Sequence, residues 1–232
     1  MKTPSGLPAD TIGFLRRLPL FNDVSEQALA ALERACTAKT VPKGSHVFLQ
    51  SEPAGAVYLV QSGVISILLG SADGRELVIN EMRVGDCFGE LGLLTGQPRS
   101  ASAAARVDSR VLEIPRGVFQ TILESEPALA RRLLEITARR LRVSSEREGA
   151  LAFMDAQARL ARVLLQLDQQ ESEKGYVTIS QEELAQRAGL TRQTVATSLG
   201  RWRRRGWLVT GRGRIMLLSH VQLKRLAQQA DE

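Results

Sequence analysis

Phe88-Gly89-Glu90-Leu91-Gly92-Leu93-Leu94-Thr95-Gly96-Gln97-Pro98-Arg99-Ser100 has the make-up of an anion pocket. Gly89 and Gly92 let the backbone approach a ligand closely and adopt conformations barred to other residues. The short apolar run from Glu90 to Leu94 predicts about one helical turn, whose free N–H groups suit a phosphate. Pro98 stiffens the exit, and Arg99 offers a planar, always-charged fork that matches two phosphate oxygens. Ser100 adds a hydroxyl beside it. Glu90 is out of place near a phosphate, unless it accepts a hydrogen bond from a sugar hydroxyl on the same ligand. That combination describes a nucleotide. A Gly-rich loop alone is ordinary turn punctuation, so the flanking chain has to decide.

Upstream, helices are expected over Asp10 to Arg17 and Ser25 to Ala38. The second has Ser25 as N-cap and Leu29, Leu32 and Ala35 on one face. From Val41 the period changes. Val47 to Leu49, Ala56 to Val60, Val64 to Leu69 and Leu77 to Ile79 are short β-branched runs. Gly44, Gly55, Gly63, Asp73-Gly74 and Gly85-Asp86 separate them at the spacing of successive antiparallel strands. Ala101 to Ala105 and Ser109 to Ile114 follow the pocket stretch as two more. A double-sheet jelly roll is the economical architecture. Jelly rolls also house metal-dependent enzymes with clustered His and carboxylate ligands. The chain has two histidines, His46 and His220, in different halves, so neither a metal site of that kind nor a Ser–His or Cys–His nucleophile is expected. The chain is read as a non-enzyme.

From about Glu126 to Ala152 the composition is Leu, Ala, Arg and Glu, with no proline after Pro127. Leu134, Ala138, Leu141, Ser145, Glu148 and Ala152 recur at alternating steps of four and three, the stripe of a two-helix seam. A helix of that length would be roughly 40 Å long. It exceeds what a small jelly roll covers, which predicts a homodimer.

Beyond Asp155, an expected N-cap, lie a helix to Gln170, a polar loop and a strand from Tyr176 to Ile179. Ser180-Gln181-Glu182-Glu183 then reads as a capping box. The helix it opens stops near Gly189, and Thr191 caps another that reaches about Arg205. That pair is a helix-turn-helix. Arg192, Gln193 and Thr197 share one face of the second helix and should meet base edges. Arg201 and Arg204, with Arg203 and Arg205, suit phosphates. Trp207 to Thr210, the turn Gly211-Arg212-Gly213, and Arg214 to Leu218 read as the hairpin of a wing.

Charge agrees with this placement. Of the net +6, nearly all lies in residues 155–232, which carry 13 Lys and Arg against 8 Asp and Glu. Such asymmetry is a footprint of polyanion binding. No run approaches the roughly 18 apolar residues that span a bilayer, and Met-Lys-Thr-Pro-Ser-Gly has no signal-peptide core. Cys36 and Cys87 are too few for a disulfide framework and are read as buried small apolar residues. A cytoplasmic protein with no metal and no membrane partner is expected.

The string Phe-Gly-Glu-Leu-Gly-Leu-Leu followed by Pro-Arg-Ser resembles the phosphate-binding cassette of cyclic-nucleotide-binding domains. More narrowly, it is similar to the CRP/FNR family of bacterial transcription factors, and the likeness runs from about Phe21 to Ile215. The resemblance implies an α+β chain in three parts: a jelly roll (1–125), a dimerisation helix (126–153) and a winged helix-turn-helix (154–232), with the hinge at Phe153 to Asp155. It places Gly89, Glu90, Leu91, Arg99 and Ser100 around the nucleotide, Glu90 on the ribose 2′-hydroxyl and Arg99 with Ser100 on the cyclic phosphate. Ser144 of the same subunit and Ser145 of the partner would touch the base. The implied effector is cyclic AMP, with cyclic GMP, cyclic di-GMP or none as alternatives. The implied partners are a palindromic double-stranded operator and RNA polymerase. A nucleotide-binding module that controls a protein partner is the alternative from another class. Two departures stand out. The best-known member has Arg, Glu and Arg where this chain has Arg192, Gln193 and Thr197, and a related activator has an apolar residue at the position of Glu148.

Overall fold

The computed structural model describes residues 11–70 and 76–228, leaving out the side chains of residues 147, 150–153 and 172. The expected Asp73-Gly74 turn, Asp10 and the side chains of Ala152 and Phe153 lie outside the described residues. Chain contacts divide the protein into two compact units, with the boundary between Leu141 and Arg142, except that Glu76 and Leu77 at the start of one strand group with the second unit.

The first unit is a sandwich of two four-stranded sheets. One is ordered β1 (Thr37–Val41), β8 (Ser109–Pro115), β3 (Ala56–Ser62) and β6 (Cys87–Phe88). The other is ordered β2 (His46–Phe48), β7 (Ser102–Ala105), β4 (Ile65–Gly70) and β5 (Glu76–Met82). This is the expected jelly roll. β3 is buried on both faces, which is why it reads as an unbroken apolar run. Ala56, Tyr58 and Val60 share one core with Phe48, Ile65 and Phe88. Val57 and Leu59 share another with Leu15, Leu32 and Phe119 of the helical layer.

That layer consists of α1 (Thr11–Arg16), α2 (Glu26–Ala35), α4 (Arg116–Ser125) and the start of α5 (Pro127–Phe153). Ser25 caps α2 as expected, its Oγ accepting from Ala28 N at 3.2 Å. α2 ends three residues before the predicted Ala38, and Thr37–Val41 is a strand paired with β8 from Thr37↔Glu113 to Val41↔Ser109. Only Ala38 and Val41 of that strand are buried, so no alternation marks it, and sheet pairing decided what propensity did not. β6 and α4 were likewise not expected. α4 follows β8 directly through Pro115, with Phe119 and Ile122 as its buried residues.

α5 presents two unlike faces. Leu129, Leu133 and Ile136 pack into the first unit's core. Leu134 and Leu141 stand 69% and 67% exposed, and Ala138 between them is exposed too.

The second unit builds its core around Trp202, which is fully buried among residues that include Leu160, Leu164, Leu184, Leu199 and Leu223. α6 (Ala156–Gln170) is capped by Asp155, which accepts from Ala158 N at 2.6 Å. β9 (Val177–Thr178), α7 (Gln181–Ala188), α8 (Arg192–Arg204), β10 (Leu208–Gly211) and β11 (Arg214–Leu217) follow the expected order. Ser180 Oγ accepts from Glu183 N at 3.1 Å, the hydroxyl half of the capping box, while the Glu183 carboxylate stands 3.7 Å from Arg187. Gly189 ends α7 at φ 64°, and Thr191 caps α8 by accepting from Thr194 N at 3.1 Å. α9 (His220–Ala227) was not expected; it packs on α6 through Leu223. Among the described residues no helix is long and apolar enough to cross a membrane.

Candidate functional site

β6 delivers the chain to Gly89, whose φ of 80° turns it into α3 (Glu90–Thr95), the expected single helical turn. A side chain at Gly89 would be strained at that φ and would put Cβ 2.6 Å from Arg99 Nη1. At Gly92 an added Cβ would lie 2.7 Å from the Gln97 carbonyl and 3.0 Å from that of Pro98. Alanine in a helix interior ordinarily gains about 1 kcal/mol over glycine. Here the contact is with rigid backbone, so Gly92→Ala is expected to lose about 1–3 kcal/mol and to displace the loop that carries Arg99. Thermal melts check the sign.

Arg99 is 5% exposed. Its Nη1 donates to the Gly89 carbonyl at 2.6 Å and its Nη2 to the Ala56 carbonyl at 2.8 Å. The guanidinium lies 4.1 Å above the Phe48 ring and 5.6 Å from that of Tyr58. The sequence reading gives this fork to two phosphate oxygens; in the structure two of its five donors are bound to main chain, and among the described residues its buried Nε has no hydrogen-bond partner. Burial lowers the Arg99 pKa, against which Tyr58, Glu52 and Glu113 favour the charged form. The loop itself is pinned, Arg99 N donating to the Glu52 carbonyl at 2.8 Å and Ser51 N to the Arg99 carbonyl at 2.9 Å.

Glu90 is 7% exposed, and its Oε1 accepts from Arg140 Nη1 at 2.7 Å. Arg140 Nη2 donates to the Cys87 carbonyl at 2.6 Å. The carboxylate that looked misplaced beside a phosphate is thus neutralised by α5. Sequence reasoning missed Arg140, which sits among Arg139 and Arg142 with nothing local to single it out. It also missed the rings of Phe48, Tyr58 and Phe88, which pack at centroid distances of 5.3–6.0 Å. Leu91 and Ser100 are exposed at the rim of the turn. Ser144 and Ser145 are exposed about one turn beyond Arg140 along α5, and Ser144 Oγ donates to Glu148 Oε1 at 3.2 Å. Burial raises both thiols, Cys36 to about 12 and Cys87 well above its ordinary value, as expected of inert core residues.

In the second unit, Arg192, Gln193 and Thr197 are all exposed on α8, opposite buried Val195 and Leu199. Arg201, Arg203 and Arg204 are exposed in its last turn. Arg205 stacks on Trp207 at 5.1 Å and Arg214 on Tyr176 at 4.8 Å. A cleft of about 320 Å³ separates the start of α7 from the wing, lined by Ser180, Gln181, Arg192, Thr210 and Arg214 among others.

An anion-suited sandwich followed by a basic winged helix-turn-helix defines a ligand-regulated DNA-binding protein. The sequence matches the cyclic nucleotide-binding domain family over residues 38–126 and the Crp-like helix-turn-helix domain family over 158–226. The chain belongs to the CRP/FNR family of cyclic-nucleotide-binding transcription regulators. It is 34% identical over 222 residues to the CRP-like cAMP-activated global transcriptional regulator of Mycobacterium tuberculosis, covering 93% of this chain and 98% of the relative. The structure of FixK2 from Bradyrhizobium japonicum superimposes with a TM-score of 0.71 at 27% identity, covering 84% of this chain and 99% of the other. The c-di-GMP-responsive regulator CLP of Xanthomonas campestris shares the fold at a TM-score of 0.77 and 24% identity, covering 84% of this chain and 100% of the other.

Proposed function

We propose that this protein is a cytoplasmic homodimer that binds cyclic AMP and, when loaded, a palindromic operator. The carrying observation is Arg99, a nearly fully buried guanidinium with an unpartnered Nε beside the Glu90–Arg140 pair. A buried charged donor without a partner costs about 1–3 kcal/mol or more, which an arriving phosphate would recover. In this reading Arg99 and Ser100 hold the cyclic phosphate, the backbone of Gly89 and Leu91 frames it, and Glu90 takes the ribose hydroxyl. Ser144 and, from the partner subunit, Ser145 meet the base. The Mycobacterium tuberculosis relative's name as a cAMP-activated regulator supports this effector. The same fold serves a regulator named for c-di-GMP, so the fold does not fix the effector. Calorimetric titration with cyclic AMP, cyclic GMP and cyclic di-GMP tests it, and saturation by cyclic di-GMP alone would overturn it.

The exposed Leu134, Ala138 and Leu141 support the homodimer, because an apolar helix stripe of this period is what a second helix covers. The chain division proposed from sequence (1–125, 126–153, 154–232) assigns the seam to the middle part. Effector clasped at the seam would favour the state whose two α8 helices face successive major grooves, about 34 Å apart. A complete switch needs roughly 5.5 kcal/mol of differential binding. RNA polymerase is the partner this reading expects downstream.

On DNA, Arg192, Gln193 and Thr197 read bases while Arg201 and Arg204 hold phosphates. Arg192→Ala is expected to cost about 1–3 kcal/mol at one guanine and to relax the preference there. Arg204→Ala is expected to lower the salt slope by about one unit with the preference unchanged. Operator variants titrated at several salt concentrations separate the two roles; a uniform loss for Arg192→Ala would make it a phosphate contact instead.

A further inference from the structure

We propose that Tyr58, backed by Glu113 and Lys39, is a positioning residue that sets Arg99 for the phosphate; this rests on the reading of Arg99 given above. Tyr58 is the third of the seven residues of β3, and its register partners are Phe88 on β6 and Glu113 on β8. Cross-strand partners in an antiparallel pair place their side chains on the same face. Tyr58 and Glu113 are therefore neighbours, and Glu113 in turn makes an ion pair with Lys39 of β1. The result is a polar row, Lys39–Glu113–Tyr58–Arg99, that crosses three adjacent strands and ends at the pocket arginine. It starts where Lys39 is half exposed and ends at a guanidinium that is almost wholly buried.

The two main-chain carbonyls that hold Arg99 come from β3 itself and from Gly89. They fix the two terminal nitrogens. The aromatic wall then decides the plane: Phe48 covers the guanidinium at 4.1 Å, and Tyr58 adds its ring at 5.6 Å. Tyr58 is itself held by stacking on Phe88 at 5.3 Å. Its phenol feels the charges of Glu113, Lys39 and Arg99; burial first, and the Glu113 carboxylate second, raise its pKa and keep the hydroxyl neutral. A neutral hydroxyl on this face is able to accept from the guanidinium while leaving its charge for the ligand. Phenylalanine at this position would keep the wall and lose the tie.

The test is a double-mutant cycle on cyclic AMP affinity, measured by calorimetry on the full chain. Tyr58→Phe is expected to raise Kd about fivefold to tenfold, within what one hydrogen bond to a charged group supplies. Arg99→Lys, which keeps the charge and loses the planar fork, is expected to raise it about tenfold or more by itself. In the Arg99→Lys background Tyr58→Phe should then cost less than about twofold, because neighbouring groups that act as a unit are non-additive. Glu113→Gln should give a smaller loss that follows the same pattern. Equal losses from Tyr58→Phe in both backgrounds would reduce Tyr58 to a packing residue and overturn the inference. No loss from Tyr58→Phe, with a clear one from Arg99→Lys, overturns the inference and leaves Arg99 as the phosphate ligand. No loss from Arg99→Lys would overturn both. Thermal melts accompany each variant, since a merely structural role would move stability without producing the coupling.

Discussion

Replacing Arg99 by leucine is expected to abolish the response to cyclic nucleotide while the sandwich stays folded. Hydrogen bonds to a charged group are worth about 1.5–3 kcal/mol each, so losing two to a phosphate weakens binding by at least about a hundredfold. The fold survives because two effects oppose each other. The carbonyls of Gly89 and Ala56 lose their donors, at about 1–3 kcal/mol apiece. Against that, a desolvated cation leaves a cage of Phe48 and Tyr58 in which leucine packs well. Calorimetric titration and a thermal melt on the same preparation give both numbers. Affinity unchanged by Arg99→Leu would remove the pocket assignment altogether.

The second large effect concerns α5. Leu134→Glu with Leu141→Glu is expected to split the proposed homodimer and to abolish the operator binding proposed for it. Both side chains are about two-thirds exposed in the single chain, so charge there costs the monomer little. In a seam the same four carboxylates per dimer would be buried or face one another, at several kcal/mol. A monomer holds only one half-site. Losing the second, tethered half removes the gain of effective concentration, about a hundredfold to ten-thousandfold in affinity. Sedimentation equilibrium and a DNA shift assay check the two steps. A variant that remains dimeric would place the partner on another face of the protein.

How much of this was legible depended on whether a feature is local. The helix-turn-helix was readable to within a residue or two because its signals are caps and turns. Ser180, Thr191 and Asp155 each accept from a backbone N–H three residues on, and Gly189 supplies the left-handed turn. α5 was readable from its length and composition. β1 was not, since Thr37-Ala-Lys-Thr-Val41 shows neither alternation nor an apolar run and is held in place by β8, some seventy residues away.

The pocket divides in the same manner. By itself the sequence determined that Gly89 leads into one short helical turn carrying Glu90 and Gly92, with Arg99 following it, because these residues lie within a dozen positions of one another. Only the tertiary structure decided what those charges meet. Arg140 reaches Glu90 across fifty residues, and Phe48, Tyr58 and the Ala56 carbonyl close over Arg99 from strands far from it in sequence. A chain records which groups are adjacent along it. Burial removes water from a group, and a charge without water takes whatever partner the fold brings, which no local pattern encodes.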